Sequence, residues 1–176
     1  MTIFGTRPEA IKMAPLIKTL EKDSDLEPVV VVTAQHREML DSVLNTFNIS
    51  ADYDLNIMKA GQTLSEVTSE AMKKLEDIIQ KEVPDMVLVH GDTVTTFSGA
   101  LAAFYSQTPI GHVEAGLRSY NKYSPYPEEI NRQMVGVMAD LHFAPTYNAA
   151  QNLVKEGKLA KNIAITGNTA IDAMNY

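Results

Sequence analysis

Met86-Val87-Leu88-Val89-His90-Gly91-Asp92-Thr93 is the stretch whose reading decides the fold. Its first five residues are almost continuously apolar, as a strand covered on both faces should be. Glycine, a carboxylate and a helical pattern follow at once. The same alternation runs outward in both directions. Short apolar runs lie at residues 2–4, 29–33, 110–114, 141–144 and 163–166, with a weaker one at 54–57. Between them, apolar residues recur at helical spacing, as in Met39, Leu40, Val43, Leu44 and Phe47, or Leu64, Val67, Ala71, Leu75, Ile78 and Ile79. Thr6 with Glu9, and Thr63 with Glu66, have capping-box spacing, and Gly157 is placed to stop a helix over residues 146–156. Alternating strands and helices predict parallel strands, right-handed crossovers and helices on both faces. The expectation is one doubly wound α/β sheet of six or seven strands.

The ends read as those of a fragment. The first strand has barely four residues, and Gly167-Asn168-Thr169-Ala170-Ile171-Asp172 opens another strand-to-helix turn where the 176 residues stop. With 15 Lys plus Arg against 22 Asp plus Glu, the net charge is −7. That argues against nucleic acid or an anionic membrane as the main partner, since both call for a cationic footprint. Cysteine is absent, which excludes a disulfide framework, a thiolate metal site and a cysteine nucleophile. No apolar run approaches the roughly 18 residues of a membrane span. A soluble, cytoplasmic protein is expected.

Ligands of open parallel sheets bind beyond the carboxyl ends of the strands, so the residues there carry the chemistry. Gly5-Thr6-Arg7-Pro8 reads equally as an anion site at a helix N-terminus and as a well-capped turn. It is neither a dinucleotide fingerprint nor a P-loop. Lys12, one turn further, is either a cation awaiting an anion or a surface lysine paired with Glu9. Asp92 suits the N-cap of the helix starting near Thr93, a role compatible with function. Glu114 ends its strand with no capping role to explain it, which favours function. Glu128 and Arg132 share a helix face and could pair, while Glu129 points elsewhere, toward solvent. His90 and His112 read as core histidines.

Three readings fit these parts. Carboxylates with Arg and Lys could move a proton at carbon on an anionic substrate. Alternatively, His90, Asp92, His112 and Glu114 could be ligands of a two-metal hydrolase, although each His would lie deeper in the sheet than its carboxylate. The third is a nucleotide-sugar binding module without activity.

Gly5-Thr6-Arg7-Pro8-Glu9-Ala10-Ile11-Lys12, Thr33-Ala34-Gln35-His36-Arg37, Val89-His90-Gly91-Asp92-Thr93 and Gly111-His112-Val113-Glu114-Ala115-Gly116-Leu117-Arg118 resemble the non-hydrolysing bacterial UDP-N-acetylglucosamine 2-epimerases. Tyr123-Ser124-Pro125-Tyr126-Pro127-Glu128-Glu129-Ile130-Asn131-Arg132 and Ile165-Thr166-Gly167-Asn168-Thr169 extend the resemblance along the whole chain. It implies that residues 1–166 are the Rossmann-like amino-terminal domain of a glycosyltransferase-B type two-domain fold. Residues 167–176 would start the connection to the second domain, where most uridine and diphosphate contacts and a catalytic-site His would lie. It also implies interconversion of UDP-GlcNAc and UDP-ManNAc for surface polysaccharide, through loss and re-addition of UDP, with no cofactor and no metal. Asp92, Glu114 and Glu128 would be the acid–base carboxylates, Lys12 and Arg132 active-site cations, and Arg7, with Lys12, Asp92 and Glu114, substrate contacts. A homodimer through this domain is implied, as is a regulatory nucleotide-sugar site near Gln35 and His36. From that site this chain departs at Glu38 and Gly61, where regulated members carry Gln and Arg.

Overall fold

The computed structural model describes residues 1–34, 37–59 and 61–175, with the side chains of residues 37 and 38 outside the description. Seven strands form one sheet in the order β3-β2-β1-β4-β5-β6-β7, every neighbouring pair parallel. They are β1 Thr2–Phe4, β2 Val30–Val32, β3 Tyr53–Asp54, β4 Val87–His90, β5 Ile110–Val113, β6 Leu141–Ala144 and β7 Ile163–Ile165. The helices are α1 Arg7–Leu20, α2 Arg37–Thr46, α3 Leu64–Glu82, α4 Val94–Tyr105, α5 Glu128–Met138, α6 Tyr147–Lys155 and α7 Thr169–Asp172. The chain builds outward from β1 to β3, returns through α3, and restarts at β4 on the other side of β1. The carboxyl ends of β1 and β4 therefore flank the point where the winding reverses, which is where such sheets open a crevice.

Period-two alternation in the strands supplies both faces. Ile3, Val31, Val87 and Val89 point to one side and pack with Leu75 and Ile79 of α3, Ala100 and Ala103 of α4, and Val135 of α5. Phe4, Val30, Val32 and Val113 point to the other and meet Met13 and Ile17 of α1 and Leu40 and Leu44 of α2. α6 seats Ala149, Ala150 and Leu153 on Ala115 and Ala144. Both expected capping boxes form, at Thr6–Glu9 and Thr63–Glu66. Met39 and Leu64, which open the two apolar stripes, are exposed.

Several strands end short of the apolar runs, and at two of them the backbone shows why. The run at residues 54–57 gives only Tyr53–Asp54, because Asp54 Oδ1 accepts from the Asn56 amide (3.1 Å) and Asn56 turns to φ 41°. The run at residues 110–114 stops at Val113, and Glu114 itself adopts φ 62°. Among the described residues, no helix is long and apolar enough to cross a membrane.

Candidate active site

Three chain segments converge where β1 and β4 end. Gly5 leaves β1 so close to Thr33 and Thr95 that a Cβ there would stand 2.1 and 2.6 Å from their hydroxyl oxygens. Those hydroxyls bond each other at 2.8 Å, pinning the end of β2 to the start of α4. Glu9, almost fully buried, joins α1 to α4. Its Oε2 accepts from the amides of Gly5 (3.0 Å) and Thr6 (2.7 Å), and its Oε1 from the hydroxyls of Thr93 (2.7 Å) and Thr96 (3.2 Å). The Gly5 and Thr6 amides are thus taken by the protein's own carboxylate, as in a well-capped turn, and an anion here would be left to Arg7. Arg7 is exposed and makes no ion pair among the described residues. Thr93, not Asp92, is the N-cap of α4, its hydroxyl accepting from the Thr96 amide at 3.2 Å. Freed from capping, the Asp92 side chain turns to α5.

The left-handed backbone at Glu114 redirects its side chain from the strand's path toward α1. Lys12 Nζ lies 2.5 Å from Glu114 Oε2, so Lys12 serves Glu114 and leaves Glu9 to its caps. His90 sits beneath with Nε2 3.9 Å from the same oxygen. Burial, then the charge of Lys12, depress its pKa to about 3, so the ring is neutral. His112 is wholly buried and depressed to about 3, mainly by burial, and its Nε2–H donates to Gly91 O at 2.7 Å. Both rings lie deeper than the carboxylates, as strand geometry requires. No group of three or more His, Asp or Glu is arranged to hold a metal ion among the described residues.

On the other side of the crevice, α5 clamps Asp92 twice. Asn131 Nδ2 donates to its backbone carbonyl (2.9 Å) and Arg132 Nη1 to its carboxylate (3.2 Å). Burial raises the Asp92 carboxyl to about 6; Arg132 opposes this, while Glu114, Glu128 and Glu9 add to it. Asp92 is therefore poised to exchange a proton near neutrality, whereas Glu114 is bonded to an ammonium. Glu128, whose charge bears on Asp92, lines an adjoining groove of about 450 Å³ with Thr6, Pro8, Leu64, Thr93, Val94, Pro127 and Asn131.

Two expectations for α5 fail here. Arg132 pairs with Glu129 and Asp92 rather than Glu128. Glu129 is not solvated: it is fully buried and accepts from the Ser119 and Tyr120 amides, Gln133 Nε2 and Arg132. The loop after β5 folds back over α5 and brings it those amides. Burial opposes its charge, but these donors outweigh it and hold the carboxyl at about 2. Glu9 and Glu129, the two buried carboxylates that organise the site, were missed as such. Their only sequence signals were the capping spacing and the three-residue interval to Arg132. The expected regulatory residues Gln35 and His36 lie outside the described residues. Gly61 turns at φ 81° with open space around it.

The family description "UDP-N-acetylglucosamine 2-epimerase" matches residues 18–176. A Bacillus subtilis protein of that name is 63% identical over 175 residues, 99% of this chain and 46% of its own length. An S. aureus structure, MnaA with UDP, superposes with a TM-score of 0.98 at 73% identity, covering 100% of this chain and 46% of that one. The Neisseria meningitidis UDP-GlcNAc 2-epimerase bound to UDP-GlcNAc superposes with a TM-score of 0.97 at 55% identity, covering 99% and 47%. A lipopolysaccharide galactosyltransferase at 13% identity and a TM-score of 0.68 shares the fold alone. The chain thus spans about half the length of the curated relatives it matches, as their amino-terminal half. On a match over nearly all its residues, the chain belongs to the UDP-N-acetylglucosamine 2-epimerase family.

Proposed function

We propose that this chain is the amino-terminal half of an enzyme that interconverts UDP-GlcNAc and UDP-ManNAc. One carboxylate takes the C2 proton as the C1–O bond to UDP breaks, leaving 2-acetamidoglucal and UDP. UDP then adds back at C1 while a carboxylic acid returns a proton to the opposite face of C2. Atoms and protons balance, and no electron carrier is needed. The C2 proton lies beside no carbonyl, so the reaction depends on placed acids and bases. Asp92, Glu114 and Glu128 fill those roles, Lys12 and Arg132 balance charge in the site, and Arg7 reaches the phosphates. The observation that carries this reading is the unlike pair beyond the ends of neighbouring strands β4 and β5, Glu114 bonded to Lys12 and Asp92 raised to about 6. The two-metal reading lacks a ligand cluster among the described residues.

Residues 1–166 form the Rossmann-like domain in this proposal, and residues 167–176 start the connection to a second domain. That segment folds back on α1, where Thr169, Asp172 and Asn175 face Pro15, Leu16, Thr19 and Lys22 across a groove. The enzyme would act in the cytoplasm as a homodimer built through this domain, feeding surface polysaccharide. The isolated chain should not turn over. An exposed charged contact contributes about 1 kcal/mol or less, whereas micromolar binding needs about 8 kcal/mol. The test incubates the 176-residue chain, alone and joined to the second half of a relative, with UDP-GlcNAc and separates the epimers by chromatography. Turnover only in the joined protein, lost in Asp92→Asn, is the expected result. Turnover by the chain alone would show that one domain suffices, and none in either would reject the activity.

A further inference from the structure

Arg132 stands between two carboxylates and serves them unequally. Its Nε and Nη2 lie 2.8 and 2.7 Å from Glu129 Oε2, while only Nη1 reaches Asp92 Oδ2, at 3.2 Å. Glu129 is the better anchored of the two. It is fully buried, and the Ser119 amide (3.0 Å), the Tyr120 amide (2.9 Å) and Gln133 Nε2 (2.8 Å) fix its carboxylate independently of Arg132. Asn131, the residue before Arg132, holds the Asp92 carbonyl at 2.9 Å, so the approach of α5 to Asp92 is set by the backbone. The guanidinium can therefore neither leave nor close fully on Asp92.

We propose that Glu129 is a positioning residue that withholds Arg132 from Asp92, leaving Asp92 able to carry a proton. A guanidinium bound to a carboxylate through two N–H groups stabilises the anion strongly and would keep Asp92 ionised through the cycle. By engaging two of the three nitrogens, Glu129 leaves Asp92 one long contact. The other groups around Asp92 leave this balance to Arg132. From α5 comes Glu128; from the end of β5 comes Glu114, itself bonded to Lys12 of α1; α1 also brings Glu9, and β4 brings His90, which is neutral. Among the described residues, Arg132 alone of the groups that bear on the Asp92 carboxyl favours its ionised form. The inference rests on the reading of Asp92 as an acid–base group.

The experiment is carboxyl carbon NMR of the 176-residue chain labelled at aspartate, with Asp92→Asn assigning the signal, over a pH titration. In Glu129→Gln, Arg132 is released to Asp92, and the Asp92 midpoint falls by about one pH unit or more. In Arg132→Lys, the single ammonium stays with buried Glu129, and the midpoint rises. Gln133→Ala removes one Glu129 partner without changing charge, and the midpoint stays in place though the chain is less stable. A folded Glu129→Gln chain with an unchanged or higher midpoint overturns the proposal. If that variant does not fold, an unchanged or lower midpoint in Arg132→Lys overturns it. None of these readings needs turnover. A failed epimerisation assay would count against the proposed activity and leave the Asp92 midpoint to decide this inference.

Discussion

Lowering the pH from 7.5 to 4.5 should unfold this chain through three histidines inside the sheet. His90, His112 and His142 sit on β4, β5 and β6, all nearly or fully buried, and His112 pairs in register with His142. Burial depresses His90 and His112 to about 3 and His142 to about 4, against 6.5 for a free ring. Between those values the unfolded chain binds more protons than the folded one. The stability is therefore fully present above pH 6.5 and is lost as pH falls toward the folded values. Over the span from 7.5 to 4.5 each ring costs about 2 to 3 kcal/mol. The three together cost about 6 to 9 kcal/mol, comparable with the whole stability of a typical domain. Urea unfolding followed by circular dichroism at four pH values measures this directly. His112→Gln should start less stable at pH 7.5, because it disturbs the bond to Gly91 O, yet lose stability less steeply, by one proton's worth. A stability flat between pH 7.5 and 5, or an identical slope in His112→Gln, would refute the reasoning.

Asp92 should behave in the opposite sense. Its folded pKa of about 6 exceeds the ordinary 3.8, so its penalty appears as pH rises through 6. Discounted for partial exposure, Asp92→Asn should stabilise the chain by about 1 to 2 kcal/mol at pH 8 and by nothing near pH 4 in the same urea series. Glu9→Gln weakens the carboxylate shared by α1 and α4 and should cost about 2 kcal/mol or more, measured by thermal unfolding. Gly116, at φ 87°, would place a Cβ 2.2 Å from the Ala149 carbonyl oxygen, whereas Gly157, at φ 83°, has open space. Gly116→Ala should therefore cost at least about 3 kcal/mol and Gly157→Ala only about 1 kcal/mol; equal losses would contradict the packing described.

The sheet was legible because its signals are local. Apolar runs such as Val87–His90 and caps such as Thr63 with Glu66 need no partner outside their own segment. The site was legible only in part, since strand ends name Asp92 and Glu114 but not what they touch. Lys12 and Glu114 are 102 residues apart, and helix spacing offered Glu9 as the partner of Lys12. Glu129 read as solvent-facing because four-residue spacing put Glu128, its neighbour, on the face of Arg132. What buries it is the return of Ser119 and Tyr120, a tertiary event with no periodic trace. Thr93 displaced Asp92 as the cap because its hydroxyl also reaches Glu9, which the residues of α4 alone do not reveal.

Glu9 has a consequence for how anions must be held here. The amides of Gly5 and Thr6, just ahead of α1, already serve Glu9, so an anion arriving at this helix end does not find those two free. In the proposed reaction, the charge of a diphosphate would be met at the rim, where the guanidinium of Arg7 is exposed. Such contacts are felt over a Debye length of only about 8 Å at physiological ionic strength, and shorter in stronger salt. On that proposal, capture by this half of the site would depend on ionic strength and weaken as salt is added.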